Sequence, residues 1–174
     1  MITLVLGGAR SGKSAIAERL AGTLPPPVTY VATAVVDDGD ADHIARIAAH
    51  RGRRDPTWTT VEAGCDLAAT LTGLTGTVLV DSLGTWVTAD AAMAPDLDGL
   101  CAALRARAGD TVVVSEEVGL GVHPPSELGR RFRDVLGAVN VAVAEVADDV
   151  LLVVAGRILP LERGWGRRGR RPRQ

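Results

Sequence analysis

Short runs of apolar and β-branched residues alternate along the chain with longer stretches in which apolar positions recur every three or four residues. The runs lie at residues 2–6 (Ile2-Thr3-Leu4-Val5-Leu6), 28–32, 59–62, 77–81, 111–115 and 150–154. Several are continuous rather than alternating, the pattern of strands covered on both faces. The three-and-four spacing predicts helices near 13–23, 40–52, 65–72, 96–107 and 126–147. It is clearest in the last, where Leu128, Phe132, Val135, Leu136, Val139, Val143 and Val146 share a face. Ser126, after Pro124-Pro125, is placed to cap that helix. Strand and helix in alternation predict a single α/β domain over residues 1–160, with a mostly parallel sheet and helices on both faces.

Composition adds boundaries to this picture. At 174 residues the chain has the size of one domain, and 47% hydrophobic with 23% charged residues excludes a disordered chain. No apolar run approaches the roughly 18 residues of a membrane span, and the N-terminus lacks a signal-peptide layout. Two cysteines, Cys65 and Cys101, are too few for a disulfide framework and suit a reducing cytoplasm. The net charge of -2 hides an uneven distribution, with Arg163, Arg167, Arg168, Arg170, Arg171 and Arg173 set among glycine and proline. Residues 161–174 are therefore expected to form a flexible, solvated tail without a catalytic role, a reading preferred to phosphate contacts with nucleic acid.

The first strand runs into Gly7-Gly8-Ala9-Arg10-Ser11-Gly12-Lys13-Ser14, a complete G-x-x-x-x-G-K-S sequence, and a helix with Ala15, Ile16, Ala17 and Leu20 follows. That strand–loop–helix context predicts a P-loop NTPase-like fold. Glycine lets such a loop turn its amide N–H groups inward around a phosphate, and the helix N-terminus adds about half a positive charge. Lys13 is then expected at the β- and γ-phosphates, and the Ser14 hydroxyl on magnesium. Asp81 ends the strand Val78-Leu79-Val80-Asp81; a carboxylate at that edge holds magnesium through water, a reading preferred to turn chemistry. Glu116 and Glu117 reach the same edge, either to orient a substrate hydroxyl or water or as a solvated pair.

His50 lies late in a helical stretch, with Arg51, Arg53 and Arg54 just after it. A neutral imidazole is a competent nucleophile toward phosphorus, yet from the residues alone a surface or structural histidine is the plainer reading. His43 and His123 form no metal-ligand cluster with it, and Trp58, Trp86, Tyr30 and Phe132 are expected in the core or a pocket wall. Lys13 is the only lysine, which excludes the Asn-Lys-x-Asp guanine motif of a signalling GTPase. The residues alone thus describe a magnesium-dependent P-loop protein of the size of a small-molecule kinase or nucleotidyl transferase. The loop itself does not distinguish ATP from GTP.

Several segments together resemble the bifunctional adenosylcobinamide kinase/adenosylcobinamide-phosphate guanylyltransferase family of cobalamin biosynthesis. They are the loop 7–14, Tyr30-Val31-Ala32-Thr33-Ala34, Arg46-Ile47-Ala48-Ala49-His50-Arg51 with Trp58-Thr59-Thr60-Val61-Glu62, Leu79-Val80-Asp81-Ser82-Leu83, and Val114-Ser115-Glu116-Glu117-Val118-Gly119-Leu120-Gly121-Val122-His123-Pro124. The resemblance extends through Arg131-Phe132-Arg133-Asp134, Gly137 and Asn140, and so covers nearly all of residues 1–157. It implies two reactions: a nucleoside triphosphate phosphorylates the aminopropanol hydroxyl of adenosylcobinamide, and GTP gives its GMP to a histidine, from which the cobinamide phosphate takes it. By resemblance that histidine is His50, and Ala32, Thr33, Ala34, Arg51, Gly52, Arg53, Arg54, Glu62 and Asp81 are nucleotide contacts. Glu62 is then suited to accept from the guanine N1–H and amino group. The resemblance also implies a homo-oligomer. This chain departs from the family's Asn-Glu-Val-Gly pattern at Glu116, which adds a negative charge near the phosphates. The rival reading is a P-loop kinase of another small alcohol or nucleoside, in which His50 is incidental.

Overall fold

The computed structural model describes residues 1–34 and 55–164. The helix expected at 40–52, with His43, His50 and Arg51, Gly52, Arg53 and Arg54, lies outside the described residues, as do residues 165–174. In chain order the elements are β1 (Ile2–Gly7), α1 (Lys13–Gly22), β2 (Val28–Ala32), β3 (Thr59–Glu62), α2 (Leu67–Thr72) and β4 (Thr77–Asp81). Then follow α3 (Leu83–Ala89), α4 (Leu97–Ala106), β5 (Thr111–Glu116), α5 (Glu127–Val146), β6 (Asp149–Val154) and β7 (Arg157–Leu161).

The strands form one sheet in the order β3-β2-β4-β5-β1-β6-β7. Every pairing is parallel except that of β6 with β7. Alternation along the continuous apolar strands divides the core in two. Leu4, Leu6, Val78, Val80 and Val113 face α2 to α5, while Val5, Leu79, Val112 and Val114 face Ile16, Ala17 and Ala21 of α1. This is why the strands read as unbroken apolar runs: both faces are covered. Polar caps set the helix starts. Asp66, Ser82, Asp96 and Ser126 each accept an amide from the first turn that follows, each such cap being worth about 1 kcal/mol.

Two elements are absent from the sequence-based expectation. Helix α3 has only seven residues and buries Leu83, Gly84, Trp86 and Val87, too short a span for a three-and-four recurrence to show. Strand β7 contains Pro160 and is an edge strand, where a sheet tolerates proline, so its sequence reads as the start of a tail. It joins β6 through Ala155 and Gly156, both at positive φ (49° and 72°), which gives a two-residue hairpin turn. The expected domain boundary at 160 falls inside β7, and Arg163 donates to the Glu145 carbonyl at the end of α5 at 3.0 Å. No helix among the described residues is long and apolar enough to cross a membrane.

Candidate active site

Strand β1 stands where the strand order turns, with β5, β4, β2 and β3 on one side and β6 and β7 on the other. The loop that follows β1 therefore opens into the crevice at the carboxyl edge, where open α/β sheets bind ligands. Register gathers the other expected residues on that edge. Gly7 pairs with Glu116, Asp81 with Val114 and with Ala32, and Ala32 with Glu62.

The loop 8–12 is held in shape by its own groups and by the β6–β7 turn. Ser11 donates its amide to the Gly8 carbonyl, and the Lys13 amide donates to Ser11 Oγ at 3.4 Å. Arg10 and Gly12 take positive φ (55° and 93°), and a Cβ on Gly7 would overlap Ser11 Oγ and come within 2.8 Å of the Val153 carbonyl oxygen. The Gly156 amide donates to the Ser11 carbonyl at 2.8 Å, so the hairpin turn braces the loop from outside. Helix α1 begins at Lys13 directly after Gly12, aiming its positive end at the space the loop encloses.

Lys13 Nζ lies 3.4 Å from Glu116 Oε1. The other oxygen of that carboxylate accepts from Ser82 Oγ and from the Gly84 amide, each at 3.1 Å. Behind it, Asn140 Nδ2 donates to the Glu116 carbonyl at 3.0 Å, and Asn140 Oδ1 accepts from Ser115 Oγ at 2.6 Å. Beside this pair, Ser14 Oγ donates to Asp81 Oδ1 at 3.4 Å and the Tyr30 hydroxyl donates to Asp81 Oδ2 at 3.0 Å. A hydroxyl and a carboxylate thus meet next to the loop, a hard-oxygen donor pair that fits magnesium when most of its ligands are phosphate oxygens and water. Among the described residues no group of three or more His, Cys, Asp and Glu side chains is gathered.

Other expected residues stand differently. Thr33 is fully buried, and its hydroxyl is engaged by the Ser82 carbonyl (2.6 Å), the Ser82 amide (3.0 Å) and Thr85 Oγ1 (2.6 Å). It fastens β2 to the β4–α3 turn. Ala32 and Ala34 flank it at the edge, half-buried. Glu62 is exposed at the end of the outermost strand, four inter-strand spacings or about 19 Å from β1. Trp86 is core, as expected, with its indole N–H donating to the Cys65 carbonyl at 2.9 Å. His123 is an exposed loop residue 2.7 Å from Arg133 Nη1. Four contributors carry no signature of these contacts in the sequence, although Tyr30 and Ser82 lie within the resembling segments: Tyr30 as a partner of Asp81, Ser82 and Gly84 as donors to Glu116, and Gly156 as the brace. Their spacing from the groups they serve runs from 32 to 145 residues, beyond any sequence window.

Residues 3–161 match the family described as cobinamide kinase / cobinamide phosphate guanyltransferase. Among curated proteins, the bifunctional adenosylcobalamin biosynthesis protein CobP of Pseudomonas aeruginosa is 43% identical over 172 residues, covering 93% of this chain and 98% of that protein. The protein CobU of the same description from Salmonella typhimurium is 36% identical, covering 90% and 97%. Among solved structures, a prototypical ATPase from the type III secretion system of pathogenic bacteria superposes with a TM-score of 0.54 at 8% identity. It covers 87% of this chain, which spans 51% of that one, and shows the fold alone. With the phosphate loop in place at the carboxyl edge and the family match running through all but the two ends, the chain belongs to the cobinamide kinase / cobinamide phosphate guanyltransferase family, transferases of cobalamin biosynthesis.

Proposed function

We propose that the protein phosphorylates adenosylcobinamide and then transfers GMP from GTP to adenosylcobinamide phosphate through a GMP–His50 intermediate, releasing adenosylcobinamide-GDP. The observation that carries the reading is that Lys13, paired with Glu116, and Ser14, paired with Asp81, stand side by side at the carboxyl edge, within a chain that matches the family over residues 3–161. In the kinase step the substrate hydroxyl oxygen bonds to the γ-phosphorus, the bridging P–O bond breaks, and the nucleoside diphosphate leaves with Lys13 against its charge. The hydroxyl proton passes to solvent. In the transfer step a nitrogen of His50 displaces pyrophosphate from the α-phosphorus of GTP, and a phosphate oxygen of the cobinamide phosphate then displaces the imidazole. Two in-line displacements of this kind give ping-pong kinetics.

Ser14 and Asp81 would hold magnesium, which would supply charge neutralisation at the phosphates. Arg51, Gly52, Arg53 and Arg54 bring positive charge and backbone amides to the nucleotide, and Glu62, with Ala32, Thr33 and Ala34 between it and the loop, reads the guanine. The protein works in the cytoplasm as a homo-oligomer, and exposed Ile158, Leu159 and Leu161 along the β7 edge support the oligomer. The test is incubation with α-labelled GTP and magnesium. Acid-labile, base-stable label on the wild type and none on His50→Ala is the expected result. No covalent label, with nucleotide binding intact, would reduce the protein to a kinase without a covalent intermediate.

A further inference from the structure

The Lys13–Glu116 pair has an uneven build. Lys13 is a long side chain able to move its ammonium by several ångströms, whereas the carboxylate is fixed from three directions. Ser82 Oγ and the Gly84 amide hold Oε2, a Cβ at residue 84 would overlap that same oxygen, and Asn140 holds the Glu116 backbone. Both partners are largely shielded, with side-chain exposures of 11% for Lys13 and 28% for Glu116. When a nucleotide's phosphates enter the loop they draw Lys13 toward them, and the pinned carboxylate stays behind as a like charge facing the phosphates.

We propose that Glu116 is a specificity-determining residue: a built-in anion that competes with phosphate for Lys13 and makes the loop select the magnesium complex of a nucleoside triphosphate over the metal-free anion. The proposal rests on the reading of 7–14 as the triphosphate site. Metal-free triphosphate meets the full repulsion of the carboxylate and also has to take Lys13 from it. The magnesium complex arrives with part of its charge neutralised and is penalised less. An amide at residue 116 keeps the hydrogen bonds from Ser82 and Gly84 but removes the charge, so the discrimination collapses while the fold is kept.

The experiment measures Kd for GTP, as its α,β-methylene analogue so that no GMP passes to His50, by titration calorimetry with magnesium and with excess EDTA, on wild type, Glu116→Gln, Glu116→Asp and Lys13→Ala. In Glu116→Gln, metal-free GTP is expected to bind about tenfold tighter and the magnesium complex no more than about threefold tighter, since a like charge at close range is worth a factor of this order. Glu116→Asp keeps the charge and is expected to keep the wild-type ratio of the two constants, which a merely structural role would not predict. An unchanged ratio in Glu116→Gln, or weaker binding of both forms, overturns the proposal. Equal binding by wild type and Lys13→Ala instead overturns the reading of the loop itself. Should Glu116→Gln fail to fold, Glu116→Ala, which removes the carboxylate altogether, is expected to narrow the ratio in the same way, and no narrowing there overturns the proposal equally.

Discussion

Gly156 sits in the hairpin turn after β6, at a φ of 72°, with its amide donating to the Ser11 carbonyl of the phosphate loop. Valine there would meet the left-handed penalty of a β-branched side chain and push the turn away from the loop. Gly156→Val is expected to cost about 1–2 kcal/mol of stability, seen in urea unfolding. It is also expected to weaken triphosphate binding about tenfold, equivalent to 1.4 kcal/mol. The two cysteines separate by the same logic of position. Burial pushes the Cys101 thiol pKa up, whereas Cys65 is exposed. A raised pKa means less thiolate at a given pH, so a maleimide in mildly alkaline buffer should modify Cys65 in the native protein and Cys101 only after unfolding. Two thiols of equal reactivity would contradict the burial of Cys101. At this scale the loop itself was legible, because its residues are contiguous and each has a chemical duty. Glu116 was legible as far as the carboxyl edge, but its pairing with Lys13, and the hold of Ser82 and Gly84 on Glu116 and of Tyr30 on Asp81, were not, because strand register alone brings these groups together.

Arg107 shows what holds the elements that position the edge. It follows α4, and its half-buried guanidinium donates to the carbonyls of Leu71, Leu74 and Gly76 and, from Nε, to Thr111 Oγ1. One cation thereby adds a donor to the Leu71 carbonyl, which also accepts the Leu74 amide, serves the carbonyls of Leu74 and Gly76 just after α2, and ties that end to the starts of β4 and β5. Burial lowers its pKa from the usual guanidinium value, yet the group remains charged throughout the working range of proteins. Arg107→Met keeps the stem and removes the donors. It should destabilise the fold by about 3 kcal/mol in urea or thermal unfolding, because the Leu74 and Gly76 carbonyls and Thr111 Oγ1 lose a charged donor, while the Leu71 carbonyl keeps its bond from the Leu74 amide. A loss below half a kilocalorie would mean that water replaces the guanidinium without penalty. The strands and the longer helices were readable from the sequence since each carries enough residues for a period to appear. Helix α3 and strand β7 were not. The former is seven residues long, and the latter pairs along one side only and contains Pro160.

Across the whole molecule the site exists because the strand order places β1 and β5 side by side and sends β6 to the far side of β1. That order was not legible in the sequence, where the alternation of strand and helix predicts a parallel sheet but not which strands are neighbours. The outer end of the sheet has its own consequence. Strand β7 presents Ile158, Leu159 and Leu161 at 51%, 56% and 40% exposure, and Val141 of α5 nearby is 65% exposed. Sedimentation is expected to give a mass that is a multiple of 18.1 kDa, reduced by Leu159→Glu, and a monomer at all concentrations would remove the homo-oligomer from the reading. Two group transfers carried by one chain should be separable by residue. That separation is met most directly by following both labels of doubly labelled GTP, α and γ, into adenosylcobinamide on wild type, Lys13→Ala and His50→Ala. Wild type should place both labels on the corrinoid, and His50→Ala should place only the γ-label there. Lys13→Ala should lose the γ-label by at least about a hundredfold, the usual scale for removing one preorganised charge at a transferring phosphoryl group. Transfer of the α-label by His50→Ala at the wild-type rate would mean that no GMP–His50 intermediate lies on the path.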